Sequence, residues 1–128
     1  MEQPLLVTVA IIEKDNKFLL IKRANEPCKG RWCFVGGCGA FKKTADPAEA
    51  VKIEVAYDLN CVFNPQFFTY NSEEFEVPTL TLFFHGSIED SPDPNPKAVS
   101  EYKWFDKNEV LKLDMGFDHN LAFRKYLN

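Results

Sequence analysis

Residues 30–60 read GRWCFVGGCGAFKKTADPAEAVKIEVAYDLN, a glycine turn followed by a segment that carries acids on the side its valines need buried. Asp46 is placed to cap a helix, Pro47 suits its first position and Glu49 completes a capping box, so a helix is predicted to run to Leu59. Asn60 suits a left-handed close. At about 100° per residue, Val51 and Val55 mark one face, Asp58 returns to nearly the direction of Val51, and Glu54 lies beside them. A carboxylate facing a packed core costs several kcal/mol unless it is paired or bound to metal. Two readings stay open: the helix turns slightly so that both acids reach water, or a divalent cation holds them. The glycine turn favours the cation, because its backbone groups are open to an anion and carboxylates bridged by metal to a diphosphate are a standard hydrolytic arrangement.

Working outward, LLVTVAII and KFLLIKR read as strands joined through Asp15-Asn16, a pair suited to a two-residue hairpin turn. RWCFVG is predicted as one short strand, followed by an irregular loop to Ala45. After the helix, VFNPQFFTYN, VPTLTLFFHGSI and EYKWFD read as strands, and KNEVLKL and FDHNLAFRKYLN as helices, the last with Phe117, Leu121 and Lys125 at helical spacing. The proline-rich stretch SPDPNPK, residues 91–97, is predicted to be a mobile connector that the fold can spare. Strands on both sides of a central helix, with helices at the end, predict an α/β layered fold with a mixed sheet.

The 128 residues suit one domain spanning 1–128. With 27% charged residues and a net charge of -4, the chain is an ordinary globular composition and a poor match for a nucleic-acid polymer. No apolar run approaches the roughly 20 residues that span a bilayer, and the first residues lack the basic start of a signal peptide, so no membrane partner and a cytoplasmic location are expected. Cys28, Cys33 and Cys38 are spaced by four residues each, with Cys61 alone, a pattern that suits reduced thiols better than a zinc site. His85 and His119 have no partner at metal spacing and read as structural.

These residues resemble the Nudix hydrolases. GRWCFVGG is similar to that family's Gly-x-Trp-x-x-Pro-Gly-Gly entry, with Val35 in the proline's place. The hairpin VTVAIIEKDNKFLLIKR, the later SEYKWFDKNEV and the final FDHNLAFRKYL follow in the family's order, and FDH resembles the ADP-ribose pyrophosphatase branch. The resemblance implies a Nudix-type α/β/α sandwich. Its signature helix is altered here: Glu54 and Asp58 occupy the first and third carboxylate places, Tyr57 the second, Ile53 the arginine's and Asn60 the glycine's. The family's early glutamate has no match either, so both members of a structural ion pair are absent. Ile53 is expected to pack against the GAFKKTA loop instead.

The resemblance implies a hydrolase that uses Mg²⁺ or Mn²⁺ to cleave a diphosphate bond in a small-molecule nucleotide. Glu54, Asp58 and the Gly36 carbonyl would hold the cation, and Glu101 would serve as a further ligand or general base. Arg23 and Gly37 would meet the phosphates; by residue type, Trp32, Phe67, Phe68, Tyr70 and Trp104 are open to two readings, stacking on a base or packing in the core. A homodimer is compatible with this reading. The rival, supported by Tyr57, is a weakly active or inactive nucleotide-binding sensor.

Overall fold

A computed structural model describes residues 3–74 and 77–128. Strands β1 (Leu5–Lys14) and β2 (Lys17–Arg23) form the expected hairpin, with Asp15 and Asn16 at φ 51° and 62°, the left-handed pair of a tight turn. The next strand is divided. β3 (Trp32–Cys33) pairs with β2, whereas β4 (Val35–Gly37) pairs with β1, so the chain changes partner at Phe34. The Phe34 N–H, which neither strand can use, donates to Nδ1 of the buried His119 at 3.2 Å.

A 3₁₀ turn (Gly39–Lys42) leads to α1 (Pro47–Leu59), then β5 (Phe63–Glu74), β6 (Pro78–Ile88), β7 (Val99–Asp106) and α2 (Lys107–Lys112). A second 3₁₀ turn (Gly116–Asp118) precedes α3 (His119–Leu127). The seven strands form a mixed sheet in which β1 runs parallel to β6 and the remaining pairs are antiparallel.

Alternation along β1 builds a core on each face of the sheet. Ala10 and Ile12 join Val51, Val55 and Leu59 of α1, while Val9 and Ile11 join Val110, Met115 and Phe123 from the C-terminal segment. Phe18 seals the second layer edge-on to Phe123, with ring centroids 4.9 Å apart. The result is the expected α/β/α sandwich.

Four local expectations need correction or completion. Asp46 caps α1, accepting the Ala48 N–H at 3.0 Å, but the capping box does not form. The Asp46 N–H goes to Thr44 Oγ1, and Glu49 turns to Lys52 at 3.6 Å. A reciprocal capping box appears instead on α2, between Asp106 and Glu109. In the last helix Leu121 is exposed and Phe117 lies outside regular helix at φ 58°; Ala122 and Phe123 carry the burial.

The proline-rich stretch is not a spare connector. It closes the C-terminus of α1: Asn95 Nδ2 donates to the Tyr57 carbonyl, the Asn95 N–H to that of Asp58, and the Asp93 N–H to that of Leu59, at 3.2, 2.9 and 2.8 Å. Asn60, left-handed as expected, returns a side-chain bond to the Asp93 carbonyl at 2.7 Å. Ile53 is half-buried and α1 lies against the preceding 3₁₀ turn, although Ile53 joins neither core.

Candidate active site

Glu54 and Asp58 take different positions on α1. Glu54 Oε1 accepts the Ala40 N–H from the 3₁₀ turn at 2.9 Å, and its carboxylate lies over Gly37 so closely that a Cβ there would sit 2.6 Å from Oε2. A side chain at position 37 would therefore push the Glu54 carboxylate from this place, whereas one at Gly36 would meet the Thr8 backbone carbonyl at 2.5 Å. Asp58 is buried. Desolvation first and the neighbouring Glu54 second push its carboxyl up to about 7, with Arg23 pulling the other way.

Thr8 is the direct cross-strand partner of Gly37, and its hydroxyl is buried without a hydrogen-bond partner. The α1 side of β4 thus gathers hard oxygen atoms at a place where no lysine or arginine pairs with Glu54 or Asp58 among the described residues. That donor chemistry fits Mg²⁺ or Mn²⁺. It is a partial cage, because no group of three or more His, Cys, Asp and Glu is arranged for metal among the described residues. Tyr57, in the remaining carboxylate's place, is 55% exposed.

On the other face of β4 lies a cleft of about 380 Å³. Gly36 and Gly37 form one end, Val9 and Phe83 the middle, and Asn71 and Glu73 of β5 the far end. Arg23 stands at the wall with Phe117, its Nε donating to the Pro27 carbonyl at 2.6 Å and its guanidinium 5.1 Å from the Phe117 ring. His119 closes the floor; burial, then the Arg23 charge, lowers its pKa to about 3, so it is a neutral acceptor for Phe34.

Arg23, Gly36 and Gly37 therefore meet in one cleft, with Glu54 pressed against its glycine end. Trp32 and Glu101 lie elsewhere. The Trp32 ring packs edge-on to Phe105 at 5.0 Å beneath Lys22 Nζ, and Glu101 pairs with that same lysine at 3.4 Å. The other stacking candidates do not line the cleft: Phe67 meets Phe84 and Phe68 meets Tyr126. A second hollow, beside the β1–β2 turn, holds Glu13, His85 and Tyr126 and none of the expected site residues.

The sequence reading missed Asn71, Glu73 and Phe117. Strand alternation would have turned Tyr70 and Ser72 toward one face and Asn71 and Glu73 toward the other, but a register shift between Phe67 and Thr69 resets which face is which. Cys28, Cys33, Cys38 and Cys61 form no disulfide among themselves, and burial raises the thiol of Cys33 to about 12.

A family model described as NUDIX domain matches residues 3–126. The chain is 29% identical over 126 residues to the ADP-ribose pyrophosphatase of Methanocaldococcus jannaschii, covering 97% of this chain and 73% of that protein. Its fold resembles a MutT NUDIX hydrolase from Burkholderia pseudomallei, with a TM-score of 0.81, 22% identity, and 96% and 98% of the two chains covered. It also resembles the NUDIX domain of Shewanella oneidensis NrtR solved with ADP ribose, with a TM-score of 0.84, 20% identity, and 100% and 91% covered.

Proposed function

This chain belongs to the Nudix family, and on that premise we propose that it is a divalent-metal-dependent pyrophosphohydrolase cleaving the diphosphate of a nucleoside diphosphate linked to another group. The observation that carries the proposal is the unpaired Glu54–Asp58 couple, one strand away from a cleft that holds Arg23. The buried Asp58 carboxylate, with Glu54 beside it, is held against its preference, a cost that a bound cation would offset.

Mg²⁺ or Mn²⁺, held by Glu54, Asp58 and the Gly36 carbonyl, would neutralise the phosphates and activate water. Arg23 binds a phosphate oxygen, and the short Nε contact to Pro27 fixes the direction of its guanidinium. The Ala40 N–H fixes the Glu54 carboxylate, leaving Oε2 facing the glycine end. The apolar middle of the cleft excludes water around the sugar or base. Glu101 and Trp32 receive no part, since both are engaged with Lys22 away from the cleft.

The substrate is a small nucleotide, with ADP-ribose the first to test because of the names its relatives carry. One domain acting without nucleic acid or membrane suffices for this chemistry, in monomer or homodimer. Among the described residues no helix is long and apolar enough to cross a membrane.

Product release from ADP-ribose, sugar nucleotides and dinucleoside polyphosphates, with Mg²⁺, Mn²⁺ or EDTA, tests the proposal. Turnover of at least one compound that stops in EDTA is expected. Saturable binding with no turnover of any would favour the second reading, a nucleotide-binding module, for which the solvent-facing Tyr57 is the specific support.

A further inference from the structure

The hydrolytic chemistry leaves one polar group of the cleft without a task. His119, only 4% exposed, lines the cleft from the first position of α3. A backbone N–H can only donate, so Nδ1, which receives the Phe34 N–H at 3.2 Å, carries no proton. Burial, then the Arg23 charge, keeps the ring neutral, and its single proton therefore sits on Nε2. In this state Nε2 is a donor and cannot serve as a base. Its surroundings are carbon: the rings of Phe34, Phe117 and Phe83 stand with centroids 5.7, 5.8 and 6.0 Å away and offer no oxygen. Yet the one buried side-chain nitrogen or oxygen without a hydrogen bond among the described residues is Thr8 Oγ1. Nε2 is thus not sealed in, and the opening before it is the cleft that its ring lines. The two residues that lead into it, Phe117 and Asp118, both hold left-handed φ, at 58° and 56°. Such a pair is costly outside glycine and persists where the surroundings or a function require it.

We propose that His119 binds the nucleotide by donating from Nε2 to one of its acceptor oxygens, with the Phe34 N–H as the group that fixes the tautomer. The inference rests on the nucleotide reading of the cleft. Arg23 brings charge to the ligand, whereas His119 brings a directed donor without charge. Held at Nδ1 and enclosed by three rings, the imidazole has little freedom left to lose on binding. Once a ligand displaces water from the cleft, an N–H in apolar surroundings is costly unless an oxygen receives it, so a ligand that supplies the oxygen is favoured over one that does not.

The test uses the α,β-methylene analogue of ADP-ribose, whose bridge cannot be hydrolysed, in the presence of Mg²⁺. NMR of the His119 ring nitrogens in the wild type is expected to place the proton on Nε2. Saturation with the analogue should slow the exchange of that proton with water and move it downfield. Calorimetry on two variants then separates the donor from the acceptor. Asparagine sets an oxygen near the Nδ1 position and does not reach Nε2, whereas glutamine carries an amide N–H to the Nε2 position. His119→Asn should keep the Phe34 amide protected from exchange and bind the analogue about tenfold or more weakly. His119→Gln should bind it within about threefold of the wild type. The α,β-methylene analogue of ADP is run alongside. A similar loss for it in His119→Asn places the oxygen on the adenosine diphosphate part, and a loss confined to the ribose-bearing analogue places it on the terminal ribose; each supports the inference. A proton on Nδ1, an Nε2 signal untouched by saturating analogue, or equal affinity of His119→Asn and the wild type would overturn it. Wild type that binds neither analogue would overturn it together with the nucleotide reading. Turnover of ADP-ribose is followed in parallel: turnover with an untouched Nε2 refutes this inference alone, and the expected Nε2 response without turnover refutes the catalytic reading alone.

Discussion

Replacing Asp58 with Asn should make the metal-free protein more stable while abolishing its chemistry. In the fold the Asp58 carboxyl titrates near 7 rather than 3.8, chiefly from desolvation and then from Glu54. A shift of roughly three units corresponds to about 4 kcal/mol of penalty for the ionised form, at about 1.4 kcal/mol per unit. The native state binds the extra proton between pH 4 and 7, so stability falls as pH rises through that window and levels off above it. Asparagine removes the ionisation. The expected gain is about 2–4 kcal/mol at pH 8 and about 1.5 kcal/mol or less at pH 5. Urea melts in EDTA at both pH values read the two gains directly. At pH 8 the thermal midpoint should also rise by several degrees, on the order of 3–5 °C per kcal/mol for a domain of this size. Adding Mn²⁺ with ADP-ribose should raise the wild-type midpoint by more than the same addition raises the variant's. An Asp58→Asn protein no more stable than the wild type at pH 8 would show that the carboxylate is not held against its preference, and the cation argument would lose its basis.

The buried His119 works in the opposite direction: it is neutral in the fold with a pKa near 3, so acid below about 6.5 favours the unfolded chain, where the imidazole protonates. The wild type should therefore hold a nearly flat stability between pH 4.5 and 6.5, whereas Asp58→Asn should lose stability across that range, as urea midpoints would register. Gly37→Ala drives a Cβ to within 2.6 Å of Glu54 Oε2, and a loss of at least tenfold in kcat with about 1–2 kcal/mol of destabilisation is expected from kinetics and melts on the same preparation. Asn95→Ala strips one cap from α1 and should cost about 1–2 kcal/mol by denaturant titration, against nearly nothing if the proline-rich stretch were a free connector.

The long elements were readable because their chemistry is local. Asp15-Asn16 needs only positive φ to make its turn, and Asp46-Pro47 and Asn60 bound α1 without help from distant residues. Glu54 and Asp58 stood out because seven residues are close to two helical turns. What stayed hidden depends on partners distant in sequence. The capping box is an exception close in sequence: Thr44 Oγ1 takes the Asp46 N–H, and Asp46 accepts from Ala48 rather than Glu49. The C-terminal carbonyls of α1 found donors in Asp93 and Asn95, more than thirty residues on, which no window of sequence reveals. Trp32 and Glu101 looked like site residues by type, yet the register of β2 against β3 and β7 places each beside Lys22. Asn71 and Glu73 were concealed by a register shift between Phe67 and Thr69 that reverses the facing of the residues beyond it.

The most direct test of the central claim is the rate of ADP-ribose hydrolysis by the wild type, Glu54→Gln and Asp58→Asn, measured with saturating Mg²⁺ or Mn²⁺ and again in EDTA. Metal-dependent turnover by the wild type is expected, with a loss of at least 100-fold in either variant even though Asp58→Asn is the more stable protein. Undiminished turnover in both variants, or wild-type turnover that persists in EDTA, would contradict the assignment of the α1 carboxylates as the seat of the chemistry.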